Sequence, residues 1–355
     1  MKIAVLGAGG WGTTLAILLY RNGHSVTLWE YNSEYAETLR EYRENFYYLP
    51  KVTIPSRVKI TSDLLQAVHN RDILLITTPT QYIRNNLRPL TGYLLKNEVV
   101  VSASKGIEND TLMFVSEIIT DIFKFAGKPR IVSLSGPSHA EEVSRKVPTA
   151  VVSASVNSYD AKLVQKVFSN NYFRVYTNSD IKGTEIGGAL KNVIAIAAGI
   201  SDGAGFGDNT KAAIMTRGIN EIMRLGIKLK AQRETFFGLS GIGDLIVTCS
   251  SKHSRNRYVG EQLGMGKKLS SILAEMKMVA EGVATTKSAR DLAFREGVDM
   301  PIVEQVYDIL FKDKNPHYAT TILMTRELKD EYDEKKINKY IDKIKETYYI
   351  CNSCR

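Results

Sequence analysis

The chain has 355 residues, 44% hydrophobic and 24% charged, which suits two soluble domains and excludes collagen-like, solenoid and largely disordered chains. Its formal charge is +9, but the basic residues are scattered. Local clusters at Arg224–Arg233 and Lys252–Arg257 lack interleaved aromatics, which favours a solvated basic surface, then an anionic small ligand, and argues against nucleic acid.

In chain order, residues 3–20 are uncharged, but "GAGGWG" would break an export helix, so the segment is not read as a signal peptide. No segment reaches the roughly 18 consecutive apolar residues of a membrane span. Short apolar runs at Ile3–Leu6, Val26–Trp29, Ile73–Thr77, Val99–Ala103, Ile131–Leu134, Ala150–Ser153 and Phe173–Tyr176 predict strands. Helical patterns or loops separate most of them, at Thr13–Arg21, Glu34–Tyr42, Leu64–Val68, Tyr82–Leu95, Thr111–Phe125 and Asp160–Phe168. Apolar strands alternating with helices imply a doubly wound parallel sheet of the Rossmann type, covered on both faces.

Beyond Asn178 the pattern turns helical: Ile181–Ile200, Thr210–Leu225, Leu269–Met276, Thr285–Glu296, Ile302–Phe311 and Ala319–Arg326, broken by glycine-rich loops at Asp202–Asp208 and Gly238–Gly243. The expected division is a dinucleotide-binding domain over 1–180, an all-helical substrate domain over 181–330 and a charged tail over 331–355. The tail, "ELKDEYDEKKINKYIDKIKE" then "CNSCR", reads as a solvated helix and an exposed end. Cys351 and Cys354 there are half a zinc site, a redox pair or simply part of that end; with Cys249 they form no disulfide framework, so a reducing cytoplasm is expected. No His, Cys or carboxylate spacing reads as a metal site.

The strongest local motif is "KIAVLGAGGWGTTLAILLYRNGHSVTLWE". Gly7 permits a tight turn, Gly9 lets backbone approach a pyrophosphate, and Gly12 lets helix and strand pack closely. Glu30 ends the second strand, where it accepts from ribose hydroxyls and repels a 2′-phosphate, favouring NAD over NADP. Polar residues gather in "VVVSASKGIE", "VSLSGPSHAEE" and "GIGDLIVTCSSKHSRN". Ser138 suits a phosphate, a cofactor amide or a helix N-cap; Arg255, with Ser254 and Asn256, suits a phosphate clamp or a solvated loop. "GGALKNVIAIAAGIS" carries one charge, Lys191, on an otherwise apolar helix. Either it snorkels to solvent or it protonates a developing alkoxide beside a nicotinamide, and the surrounding clusters favour the second.

Together "GAGGWGTTLA", "SASKGIE", "SGPSHAEE", "GGALKNVIAIAAGISDGAGFGDNTKAAIMTRG", "GIGDLIVTC", "SRNR" and "VAEG" resemble the NAD(P)-dependent glycerol-3-phosphate dehydrogenase family in order, over roughly residues 1–325. The resemblance implies reversible reduction of dihydroxyacetone phosphate to sn-glycerol 3-phosphate, feeding phospholipid synthesis, by a homodimer. It implies Lys191 as proton donor and acceptor, Gly10 and Trp11 against the cofactor, and Tyr31 near its adenosine end. Lys105 would touch cofactor and substrate; Gly136 and Ser138 would touch substrate, and Ala140 the cofactor. Asp244, Ser254, Arg255 and Asn256 would complete the substrate pocket, Arg255 also near the cofactor, with Val279 and Glu281 closing over the nicotinamide side. NAD(H) is the preferred cofactor and NADP(H) the alternative. His139 stands where the family often has phenylalanine, and the tail lies outside the pattern. The runner-up is a β-hydroxyacid or 6-phosphogluconate-type dehydrogenase, which also uses a helix lysine followed by asparagine. A cofactor-sensing binding protein would need a concentrated basic face.

Overall fold

A computed structural model describes residues 1–92, 98–125, 129–276, 278–328 and 330–331. By packing, Met1–His317 forms one compact unit and Tyr318–Arg355 a second. The chain begins with β1 (Lys2–Leu6), α1 (Gly10–Arg21), β2 (Ser25–Trp29), α2 (Ser33–Tyr42), β3 (Glu44–Asn45), β4 (Leu49–Thr53), β5 (Lys59–Thr61) and α3 (Leu64–Val68). It continues with β6 (Ile73–Ile76), α4 (Thr80–Leu87), β7 (Val99–Ser102), α5 (Val115–Ile122), β8 (Arg130–Ser135), α6 (Ala140–Ser144), β9 (Thr149–Ala154), α7 (Ser158–Phe168) and β10 (Phe173–Asn178). Helices then follow one another: α8 (Ile181–Gly203), α9 (Asp208–Lys228), α10 (Asp244–Ser250), α11 (Arg255–Gly264), α12 (Leu269–Glu275), α13 (Glu281–Glu296) and α14 (Pro301–Lys312). The second unit opens within α15 (Pro316–Met324).

Eight strands form one sheet in the order β10-β9-β8-β7-β6-β1-β2-β5. Alternation explains why the central strands are apolar throughout. Ile3, Val5, Leu28, Leu75 and Val101 face one helical layer with Leu15, Leu39 and Phe168. Their neighbours Ala4, Leu6, Leu74, Ile76 and Val100 face the other, with Val68, Ile83 and Ile119. A strand covered on both faces has no polar side to show. Each such Val, Leu, Ile or Phe side chain contributes about 1.5–3 kcal/mol by burial.

All seven expected strands form, and three more join them. β5 adds to the sheet edge beside β2 with only three residues. β3 and β4 make a separate antiparallel pair. The fully parallel expectation is corrected at one seam: β9 runs antiparallel to β8, and β10 then pairs parallel to β9. The link between them, which carries the five-residue helix α6, returns the chain beside β8 in the opposite direction. Helix α4 ends at Leu87, followed by a 3-10 turn over Arg88–Leu90, and α5 starts later than its apolar pattern suggests. α6, α10 and α11 were not among the expected helices. Cys351, Cys354 and most of the charged tail lie outside the described residues.

Candidate active site

A cleft of about 800 Å³ opens at the carboxyl ends of β1, β2, β6 and β7, where open α/β sheets bind ligands. Gly7 takes φ +110°, a conformation that suits glycine. A Cβ on Gly12 would fall 1.9 Å from the Gly7 carbonyl oxygen, so helix and turn touch by backbone. A Cβ on Gly9 would meet nothing within 4 Å, leaving the approach from the cleft open. Helix α1 has no side-chain cap, so its first N–H groups remain available to an anion. The turn is tied to the β3–β4 hairpin by Asn45, fully buried, whose Nδ2 donates to Ala8 O and Thr13 Oγ1, both at 2.7 Å. Its Oδ1 accepts from the Tyr48 N–H, placing the Tyr48 backbone over Gly10. At the end of β2, Glu30 lines the same wall and burial pushes its carboxyl up. These features fit a dinucleotide.

The opposite wall is built by helices. Lys191 lies on α8, whose residues Gly183–Ser201 are all buried. A Cβ on Gly188 would lie 2.9 Å from Ser135 Oγ, and one on Gly187 would lie 2.5 Å from Ser240 O, so small residues let α8 settle against β8 and the α10 entry. Lys191 Nζ donates to Asp244 Oδ1 and to Thr248 Oγ1, each at 2.7 Å. Thr248 Oγ1 in turn donates to the Asp244 carbonyl at 2.6 Å. Lys105 Nζ takes the other carboxylate oxygen at 2.6 Å and also donates to Gly136 O at 3.0 Å. Asp244 is 1% exposed. Burial pushes its carboxyl up, but the two ammonium groups outweigh that and hold it below its usual range. Burial lowers Lys191 to about 8, with Lys105 pushing the same way and Asp244 opposing. One carboxylate between two lysines leaves a single net positive charge.

Ser254 N-caps α11 through the Arg257 N–H, so Arg255 and Asn256 occupy a helix's first turn rather than a solvated loop. Asn256 Nδ2 donates to Asn192 Oδ1 at 2.9 Å, and Asn256 Oδ1 accepts from Gly282 N. Arg255 is exposed and donates to Val279 O at 3.1 Å. Glu281 opens α13 and accepts from the Thr80 N–H at 3.1 Å, at the start of α4. Burial pushes its carboxyl up, against the pull of that N–H and of Arg255.

Of the expected residues, Gly7, Gly9, Gly10, Trp11, Glu30, Tyr31, Lys105, Ser138, Ala140, Lys191, Ser254, Arg255, Asn256, Val279 and Glu281 line the cleft. Gly12, Gly136 and Asp244 stand behind the wall rather than in it. The N-cap alternative for Ser138 is corrected: His139 occupies that position, and Ser138 Oγ donates to Gly136 O instead. Asn45, Tyr48, Thr248 and Asn192 escaped sequence reading because they sit in polar or apolar runs without a spacing of their own. His139 is also at the cleft, 5.8 Å ring to ring from His253; burial and then Lys191 lower its pKa.

A wall suited to a dinucleotide faces a buried amine with proton-donor chemistry, and that pairing defines a pyridine-nucleotide-dependent dehydrogenase. Residues 2–161 match the family described as NAD-dependent glycerol-3-phosphate dehydrogenase N-terminus, and residues 180–321 its C-terminus. Glycerol-3-phosphate dehydrogenase [NAD(P)+] of Syntrophotalea carbinolica is 50% identical over 94% of this chain and 100% of its own length. That of Citrifermentans bemidjiense is 52% identical over 93% and 98%. The crystal structure of glycerol-3-phosphate dehydrogenase from Coxiella burnetii superposes with a TM-score of 0.88 at 35% identity, covering 92% of this chain and 99% of that one. The chain belongs to the NAD-dependent glycerol-3-phosphate dehydrogenase family and is an oxidoreductase.

Proposed function

We propose that this protein reversibly reduces dihydroxyacetone phosphate to sn-glycerol 3-phosphate, with Lys191 as proton donor and acceptor. The carrying observation is the state of its amine. An ammonium has three donors; two are spent on Asp244 and Thr248, and the third is free for a ketone oxygen at the cleft. A nicotinamide held in the cleft would supply the hydride for the ketone carbon. As charge develops on oxygen, the Lys191 ammonium stabilises it and then gives up a proton, which a pKa of about 8 makes easier near neutrality. Asp244 keeps Lys105 and Lys191 apart and aimed, without touching substrate. Arg255, Lys105, Ser254 and Asn256 take the phosphate end, with Ser138 beside them and the Gly136 carbonyl orienting Lys105. Gly9, Gly10 and Trp11 hold the cofactor phosphates and adjoining groups, Glu30 and Tyr31 its adenosine side, and Ala140, Val279 and Glu281 the nicotinamide side. The proposed division at about residue 180 separates a dinucleotide-binding domain from an all-helical substrate domain, and the cleft draws residues from both sides of it, Lys105 and Ser138 from the first and Val279 and Glu281 from the second.

Glu30 favours NADH over NADPH, because a carboxylate there repels a 2′-phosphate. The protein acts as a cytoplasmic homodimer supplying glycerol 3-phosphate for phospholipids. Among the described residues no helix is long and apolar enough to cross a membrane. The family match turns the balance away from the β-hydroxyacid and 6-phosphogluconate-type readings. Following NADH and NADPH absorbance with dihydroxyacetone phosphate and a panel of 2- and 3-hydroxyacids tests the reading. Rapid loss of NADH with the triose phosphate is expected. Activity only with a hydroxyacid overturns the substrate, and equal or faster turnover with NADPH overturns the cofactor preference.

A further inference from the structure

The loop "GAGFGDNTK" and the last residue of "SRNR" have no part in the chemistry above, yet they meet. Arg257 donates to Asp202 Oδ2 from Nε at 2.8 Å and reaches it from Nη2 at 2.7 Å. Lys211 Nζ reaches the same oxygen at 2.8 Å. Asp202 ends α8, Lys211 lies in the first turn of α9, and Arg257 follows Arg255 and Asn256 on α11. All three side chains are less than one-fifth exposed.

Beneath them two helices meet closely. A Cβ on Gly199 would lie 2.0 Å from Arg257 O, and one on Gly203 would lie 2.0 Å from Glu261 O. From the other helix, a Cβ on Gly260 would lie 2.0 Å from Ile196 O, and one on Gly264 would lie 2.4 Å from Ile200 O. Two glycine-x-x-x-glycine faces thus pack backbone to backbone. Such faces bring the two backbones together, and two polar links join the helices along that seam: Asn192 with Asn256, and Asp202 with Arg257.

We propose that Asp202 and Arg257, reinforced by Lys211, are positioning residues that hold the first turn of α11, and so Arg255 and Asn256, in register with the Lys191 helix for binding the substrate phosphate. This rests on the reading that Arg255 and Asn256 take that phosphate. Lys191 is anchored separately by Asp244 and Thr248, so losing the clasp costs substrate affinity more than the chemical step.

The test measures KM and kcat for dihydroxyacetone phosphate, NADH affinity by fluorescence, and melting temperature, for Arg257→Met, Asp202→Asn, their double variant and Arg255→Ala. Each clasp variant is expected to raise KM about tenfold, with kcat within about twofold. NADH affinity should hold, and the double variant should be no worse than the poorer single, since both break one interaction. A lowered melting temperature with KM unmoved, or additive rises in KM, overturns the clasp. Should Arg257→Met fail to fold, the isosteric Asp202→Asn decides alone. If Arg255→Ala raises KM and the clasp variants do not, only the clasp fails; if Arg255→Ala leaves KM unmoved, the phosphate reading fails and takes the clasp with it.

Discussion

The two walls of the cleft are made of different materials. The wall proposed for the cofactor is mostly backbone, three glycines and an uncapped helix start, with one carboxylate at a strand end. The wall proposed for the substrate is paired charge: two ammonium groups on one buried carboxylate, and an arginine on a capped helix. A backbone site tolerates change wherever a side chain can point into open space, and fails wherever Cβ meets another strand of backbone. A paired-charge site fails when either partner leaves, because the other stays buried and alone.

The largest effect separating the walls is expected at Lys191. Lys191→Ala should lose at least about a hundredfold in kcat, the lower end for general acid–base groups, while NADH titrates as in the parent. Retention of more than about a tenth of the activity would remove the amine from the mechanism. Next comes the contrast between glycines. Gly12→Ala forces Cβ onto the Gly7 carbonyl and should cost about 1–3 kcal/mol in denaturant unfolding. Gly9→Ala should stay within about 0.5 kcal/mol in stability yet weaken NADH binding. Equal destabilisation by both would mean that the turn does not divide packing from binding.

The smallest effect is a displaced pH profile. With Lys191 as the proposed proton donor, kcat/KM for reduction should fall as pH rises through about 8, while oxidation of glycerol 3-phosphate should rise over the same range. The Asp244 charge raises the Lys191 pKa, so Asp244→Asn should move the falling limb to lower pH. A limb that stays put, or moves up, would mean that Asp244 does not set the proton affinity.

Legibility in the sequence followed the same contrast. The glycine turn depends on contacts within one βαβ unit, so the roles proposed for Gly7, Gly9, Gly12 and Glu30 could be read from their spacing between strand and helix. Lys191 was visible as a charge stranded on an apolar helix, but its partners were not: Asp244 is 53 residues away and Lys105 is 139 residues from Asp244. Spacing carries no signal at that range, and the roles of these residues came from family resemblance. The seven apolar strands were readable because both faces are covered. β5 has three residues and β3 two, too few for alternation to register. The reversal at β9 leaves no mark in the pattern, because an apolar run such as Thr149–Ala154 reads alike in a parallel or an antiparallel pair.

The account stands on the position of one nitrogen, and a ternary crystal structure with an oxidised cofactor and dihydroxyacetone phosphate measures it directly. Lys191 Nζ is expected within hydrogen-bond distance of the ketone oxygen, about 2.7–3.2 Å, still held by Asp244 and Thr248. An amine turned away from the bound ketone, with no water joining them, would contradict it.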